Sequence, residues 1–289
     1  MKSSYYSIRD LAFRLILKIT SSHHYSQNEG LISDSQKSKY QETIDEILND
    51  SSMFQNFRRN LRYREILEHV DFRLGKKYLN KIKIRSNRMK IDLNWNRIKI
   101  NDSIGNPILF KYPESGRISP TTLRYTSVAL EIQEIFGTNM KSIAEIGAGY
   151  GGQLRILDEL FNLESYDCFD LPEVQKLIER YVERIPTRMR ISFPQLDVSS
   201  EKNWDLVISN YAFSELPHSL QEQYINKVLL KSKCGFMIMN SGLSNKTGRS
   251  LGKYSAFELL KIIPNSQIHE ETPLTGPDNY ILIWENRNK

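Results

Sequence analysis

The segment Ile143-Ala144-Glu145-Ile146-Gly147-Ala148-Gly149-Tyr150-Gly151-Gly152 constrains the fold more than any other part of the chain. A short apolar run carrying one carboxylate ends in a glycine-rich turn, and a helical pattern follows from Gln153 to Phe161. Residues without a Cβ let the backbone turn sharply from strand to helix and approach a ligand closely, while the free N–H groups of the helix start attract an anionic group. A cofactor is expected at this turn, with Gly147, Gly149, Tyr150 and Gly151 as its candidate contacts.

The turn serves nicotinamide and flavin dinucleotides as well as S-adenosylmethionine, so its spacing leaves the ligand open. Glu145 discriminates. A dinucleotide brings two phosphates to the turn and is poorly served by a carboxylate just before it, whereas S-adenosylmethionine has no phosphate and carries an ammonium and a sulfonium. The plainer reading makes Glu145 a strand-end charge that reaches solvent. Ser165 to Asp170 reads as a second strand ending in an acid, roughly twenty residues beyond the glycines, where a ribose-binding carboxylate is expected. One carboxylate accepts both hydrogen bonds of a vicinal diol, so Asp170 is the candidate. Its alternative is to cap the next helix, Pro172 to Arg184. Arg188 to Phe193 reads as a third strand, and Asp197 on the loop after it is a candidate acceptor for the adenine amine or an ordinary loop acid.

Trp204 to Ser209 is a fourth strand whose exit loop runs Asn210-Tyr211-Ala212-Phe213-Ser214-Glu215-Leu216-Pro217-His218. In doubly wound sheets ligands bind outside the carboxyl ends of the strands, so this loop is where chemistry is sought. Gly235 to Asn240, Ser266 to Glu270 and Tyr280 to Glu285 read as strands five to seven, with a helix from Ser255 to Ile263. Between the last two strands lies only Glu271 to Asn279, too short for a crossover helix, so the final strand is antiparallel to its neighbour. The fold class expected is α/β and Rossmann-like, of the class I methyltransferase kind: a seven-stranded, mostly parallel sheet with an antiparallel carboxyl-terminal strand, preceded by a mainly helical amino-terminal region.

Five strings carry a resemblance: Ser119-Pro120-Thr121-Thr122-Leu123-Arg124-Tyr125, Glu145 to Gly152, Asp170-Leu171-Pro172-Glu173, Ser209 to Leu216, and Met239-Asn240. They resemble the sugar O-methyltransferases of bacterial polysaccharide gene clusters over about residues 103 to 285. The resemblance implies an S-adenosylmethionine-dependent enzyme that methylates a sugar hydroxyl of a surface polysaccharide or glycolipid. It also implies a boundary near residue 110, with the methyltransferase domain at 111–289.

Methyl transfer requires the acceptor oxygen in line with the methyl and the departing sulfur, and a base for the hydroxyl proton. Glu215 and His218 are the candidate bases, the first inside a family-like string and the second with the better intrinsic pKa. Glu215 has the alternatives of pairing with His218 or capping a helix that starts near Ser219. Tyr211 is assigned to the acceptor and Asn210 to the cofactor, or both fill the site wall. Arg124 and Tyr125 are candidates to cover the methionine carboxylate, with a surface ion pair as the alternative for Arg124. His269-Glu270-Glu271 is a further base or metal cluster by residue type, but no spacing identifies a metal site and none is expected.

No apolar stretch approaches the roughly twenty residues of a membrane span, and Met1 to Asp10 lacks the apolar core of a signal peptide, so a cytoplasmic location is expected. Cys168 and Cys234 have no metal or redox spacing and read as buried thiols. Between Gln55 and Lys99 fourteen Lys or Arg stand against four Asp or Glu, a local +10 in a chain of net charge +6. This basic region suits nucleic acid, anionic headgroups or an acidic glycan carrier, or is a solvated helical face. Tyr5 to Ile19 has amphipathic helical spacing, for a membrane surface or for the protein's own core. Ser21 to Lys39 reads as a linker, and Lys90 to Leu93 with Asn96 to Ile100 as a strand pair. A glycan or glycolipid is the expected partner, nucleic acid is not, and a peripheral membrane surface and self-association stay open. The alternatives in function are an RNA or protein methyltransferase and a non-catalytic nucleotide-cofactor-binding protein.

Overall fold

The computed structural model describes residues 34–66, 68–185, 187–196, 202–243 and 252–286. They pack as two units. A helical unit takes the described residues up to Thr138, with Gly149–Phe161 and Leu171–Thr187; a sheet unit takes Asn139–Ala148, Asn162–Asp170 and the described residues from Arg188 onward. Asp197 and the Tyr5–Ile19 segment lie outside the described residues.

The helical unit contains α1 (Asp34–Asn49), α2 (Ser51–Asn56), α3 (Leu61–Ile66), α4 (Phe72–Met89), α5 (Trp95–Ile98), the hairpin β1 (Phe110–Tyr112) and β2 (Gly116–Ile118), α6 (Pro120–Phe136), α7 (Gly152–Leu160) and α8 (Pro172–Val182). Short polar side chains set the starts. Asp50, Asp71 and Ser119 each accept a backbone N–H of the following turn, from Met53 at 3.0 Å, Leu74 at 2.7 Å and Thr122 at 3.1 Å. Pro120 then occupies the first turn of α6, where its missing N–H costs nothing, and Gly137 at φ 79° ends that helix.

Two sequence expectations fail here. In place of the expected strand pair, Lys90 is the left-handed cap that ends α4, Ile91–Leu93 have no regular structure, and Asn96–Ile100 fall in α5 and the 3-10 turn Lys99–Asp102 that follows it. The Asn94 side chain accepts from Arg97 N at 3.2 Å, and this local cap wins over an alternation only a few residues long. The linker reading also ends early, because α1 begins at Asp34.

The sheet unit holds β3 (Ser142–Ile146), β4 (Ser165–Phe169), β5 (Arg190–Ser192), β6 (Trp204–Asn210), β7 (Ser232–Met239), β8 (Gln267–Glu270) and β9 (Tyr280–Glu285), with α9 (Ala212–Glu215), α10 (His218–Lys227) and α11 (Ala256–Ile262). The strand order is β5-β4-β3-β6-β7-β9-β8. The first five strands are parallel, and β9 runs antiparallel to both β7 and β8, as the short final connection requires. Order reverses between β3 and β6, and in open α/β sheets ligands bind outside the carboxyl ends of the strands at such a point. Cys168 and Cys234 are buried free thiols. Among the described residues no helix is long and apolar enough to cross a membrane.

β9 slides between its neighbours because Gly235 on β7 leaves room for the Trp284 indole. The two residues are paired in register, and a Cβ on Gly235 would stand 2.0 Å from Trp284 Cη2. Trp284 is itself 1% exposed, so the ring has nowhere to go. Gly235→Ala is therefore expected to cost about 1–3 kcal/mol of unfolding free energy by overpacking. Chemical denaturation reads the change, and an unaltered midpoint would show that the sheet adjusts freely.

Candidate functional site

The glycine turn takes backbone conformations closed to most residues: φ is 79° at Gly147, 59° at Gly149 and 90° at Gly151. Gly147 N donates to Phe169 O at 2.9 Å, which latches the end of β3 to the end of β4. Gly151 then serves as the left-handed N-cap of α7.

Glu145 points into the sheet unit and not to solvent. It is 1% exposed, and its Oε2 accepts from the Tyr166 hydroxyl at 2.7 Å. Burial pushes its carboxyl up to about 8; the Tyr166 bond opposes that rise and the neighbouring Asp170 carboxylate adds to it. Parallel pairing explains the group: Glu145 stands level with Cys168, so Tyr166 and Cys168, two apart on β4, share a face of the sheet. Burial, with Glu145 and Asp170 contributing, also raises the Cys168 thiol.

A pH dependence follows, with a definite sign. An acid raised from an ordinary value near 4.5 to about 8 binds its proton more tightly folded than unfolded, so its stabilising effect is full below pH ~4.5 and lost as pH rises through ~8. Unfolding free energy is expected to fall by up to about 5 kcal/mol across that window, a slope that Glu145→Gln removes. Denaturation midpoints between about pH 5 and 9 test this, and an unchanged slope in the variant assigns the effect to another group.

Asp170 follows the last residue of β4 and is half-buried, close enough to Glu145 and to Tyr224 of α10 to raise both electrostatically. The helix-capping alternative for it does not hold, since Leu171 occupies the N-cap of α8. Pro194, Gln195 and Leu196, which lead toward Asp197, line a cavity of about 40 Å³ with Phe169 and Trp204.

At the end of β6, half-buried Asn210 is followed by Tyr211 in a left-handed conformation, φ 75°. A bulky residue there is strained and persists only when its surroundings over-determine it. They do so here. Tyr211 N donates to Ile238 O at 2.6 Å, and its hydroxyl donates to Glu271 Oε1. Glu271, 3% exposed, is held in turn by Thr275 N at 2.8 Å and Asn279 Nδ2 at 2.8 Å. The Glu271 carboxyl is thus engaged by donors from its own loop and by the Tyr211 hydroxyl, while His269 and Glu270 are exposed. Among the described residues no group of three or more His, Cys, Asp or Glu is placed to hold a metal ion.

α9 hangs from that strained residue. Ser214 Oγ donates to Tyr211 O at 2.8 Å, Asn240 N donates to Ser214 Oγ at 3.0 Å, and Asn240 Nδ2 donates to Glu215 Oε1. Glu215 is buried and oriented by an amide at the end of β7. It does not cap α10, whose N-cap is Pro217. His218 lies exposed on the first turn of α10, its ring against Tyr254 with centroids 4.0 Å apart.

The remaining candidates belong to the helical unit. Tyr150 is completely buried, its ring 5.5 Å from Phe57, 5.1 Å from Tyr181 and 6.2 Å from Tyr125 between centroids, with the Arg58 guanidinium 4.8 Å away. Burial raises its phenol well above the usual range. Arg124 is buried, not at the surface, and lies 5.1 Å over the Tyr125 ring. Sequence reasoning missed Arg58, which pairs with Glu68 at 2.5 Å and Asp102 at 3.2 Å and donates to Ser119 Oγ at 3.0 Å. Burial works against the Arg58 charge, yet Glu68, Tyr150 and Asp102 hold it well above its usual value. A basic residue inside a basic segment gave no signal of this. A cavity of about 490 Å³ between Phe54, Gln55, Asn106 and Arg184 contains none of the predicted site residues.

The sequence matches no protein-family model and no curated protein. Solved structures give distant likenesses. The methyltransferase domain of bacterial CtHen1 has 11% identity and a TM-score of 0.42, covering 56% of this chain and 97% of that one. An O-methyltransferase family protein from Burkholderia thailandensis has 10% identity and a TM-score of 0.40, covering 56% and 58%. The amino-terminal domain of EvdMO1, solved in the presence of SAH and D-fucose, has 12% identity and a TM-score of 0.45, covering 67% and 95%. The fold assignment rests on the strand order itself: a Rossmann-like sheet of the class I methyltransferase arrangement, with its antiparallel strand inserted before the edge.

Proposed function

We propose that this chain is an S-adenosylmethionine-dependent methyltransferase that places a methyl group on a sugar hydroxyl of a surface polysaccharide or glycolipid. The observation that carries the reading is the pair of acids beside the glycine turn. Glu145, two residues ahead of it, and Asp170, at the end of the adjoining strand, place two carboxyl groups where a dinucleotide would bring phosphates, and a cation arriving there favours the ionised form of Glu145. The donor set suits S-adenosylmethionine: Asp170 to accept from the ribose diol, Glu145 to answer the positive charge, and a turn whose glycines leave the backbone bare. When bound, the cofactor supplies an activated methyl on a sulfonium leaving group.

The chain's own residues do the rest. Glu145 is poised to exchange its proton for a cation, since a positive charge nearby favours the ionised form that burial disfavours. Tyr211, fixed by Glu271, positions α9, and Asn240 orients Glu215 so that its carboxylate takes the proton of the acceptor hydroxyl. The glycan as acceptor rests on the Ser209–Leu216 and Ser119–Tyr125 strings and their family resemblance.

Calorimetry with S-adenosylhomocysteine and with NAD tests the cofactor. Binding of the first alone is expected, weakened about ten- to a hundredfold by Asp170→Ala through loss of a charged hydrogen-bond acceptor. Equal affinity in the variant removes Asp170 from the site; binding of NAD alone removes the methyl-transfer reading. Incubation with labelled S-adenosylmethionine and glycan extracts, followed by mass analysis, then identifies the acceptor.

A further inference from the structure

A helix that carries seven Lys or Arg and no Asp or Glu needs anions from elsewhere, and α4 is such a helix over its 18 residues. Some come from within the helical unit. Glu131 and Glu134 of α6 pair with Lys81, Arg85 and Arg88, and Glu114 pairs with Lys83. Arg73, Lys76 and Lys77 are exposed, and no described carboxylate forms an ion pair with them.

The position of these three cations is what gives the face a direction. At about 100° per residue, Arg73, Lys76 and Lys77 share one arc of the helix with Phe72, Asn80, Lys83, Ile84 and Asn87, and within that arc the carboxylate of Glu114 is taken by Lys83. Phe72 is 39% exposed and Ile84 50% exposed. The Phe72 ring is stacked on Tyr112 and packed beside Phe110, with centroids 5.1 and 5.4 Å apart, so Ile84 is the apolar side chain left half-exposed beside the three cations. A nucleic-acid backbone would engage the cations but offers no burial to an isoleucine between them. An anionic bilayer surface engages both, with headgroup phosphates for the cations and the acyl boundary for Ile84, while the Lys and Arg stems lie along the apolar surface.

We propose that this face of α4 docks on an anionic bilayer surface. The inference stands apart from the methyl-transfer reading, and its test has no catalytic readout. The whole protein is sedimented with vesicles of equal parts phosphatidylglycerol and phosphatidylcholine, and with vesicles of phosphatidylcholine alone. Binding to the first only is expected. The combined variant Arg73→Gln, Lys76→Gln, Lys77→Gln is expected to lower it about a hundredfold, from the contribution of each cation near a charged surface. Ile84→Asn, at a half-exposed position, is expected to weaken it severalfold while leaving the cations in place. Absence of vesicle binding, binding that survives the charge substitutions, or binding indifferent to Ile84→Asn each overturns the proposal. Retention of RNA that depends on the three cations, without vesicle binding, overturns it too and assigns the face to a nucleic-acid backbone.

Discussion

Glu215→Gln is expected to lower methyl-transfer turnover about a hundred- to ten-thousandfold while leaving S-adenosylhomocysteine affinity unchanged. The amide keeps the shape of the side chain and its bond to Asn240, but it cannot take the proton of the hydroxyl acceptor proposed above, and an alcohol is far too weak an acid to ionise unaided near neutral pH. Steady-state rates with saturating cofactor measure the loss. His218→Ala is the natural comparison, and a smaller loss is expected, because His218 sits exposed on α10 against Tyr254 whereas Glu215 is buried and oriented. Full turnover in Glu215→Gln together with a large loss in His218→Ala would move the base to the histidine.

Arg58→Met is expected to destabilise the helical unit by about 3–5 kcal/mol. Arg58 is completely buried, and it is shared by Glu68, Asp102, Asn101 O and Ser119 Oγ. Methionine fills much of the volume but strands two carboxylates that have lost their cation, and an uncompensated buried charge is the costly part. Adding Glu68→Leu should therefore recover some of the loss, since an apolar pair can replace a buried ion pair at little cost. Denaturant unfolding of the single and double variants separates the terms; a single-variant loss below about 1 kcal/mol would mean that water reaches the cluster.

The parts of this structure that were legible in the sequence are those decided by neighbouring residues. The strand before Gly147, the helix opened by Pro172 and the final hairpin announced by a short connection all depend on a handful of adjacent positions. The reading failed at Lys90–Ile100, where a few alternating residues mimic strands and a single asparagine decides for helix. What remained hidden depends on contact across sequence. Tyr211 is tied to Glu271, sixty positions on, and nothing near Tyr211 in the chain reveals that its hydroxyl is taken. Glu145 was legible as a charge beside the turn, but its partner Tyr166 follows only from the register of β3 against β4.

Tyr150 carries one more consequence. It stands in the middle of the glycine turn, where three flanking glycines would otherwise leave the backbone free to sample many conformations. Phe57, Tyr125 and Tyr181 enclose its ring on residues far apart along the chain, so the part of the turn from Gly149 to Gly152 is packed about one side chain. A ligand that arrives at such a turn meets a rigid surface and loses little affinity to ordering it. The conformational entropy that a glycine loop usually surrenders on binding is here surrendered once, when the polypeptide folds.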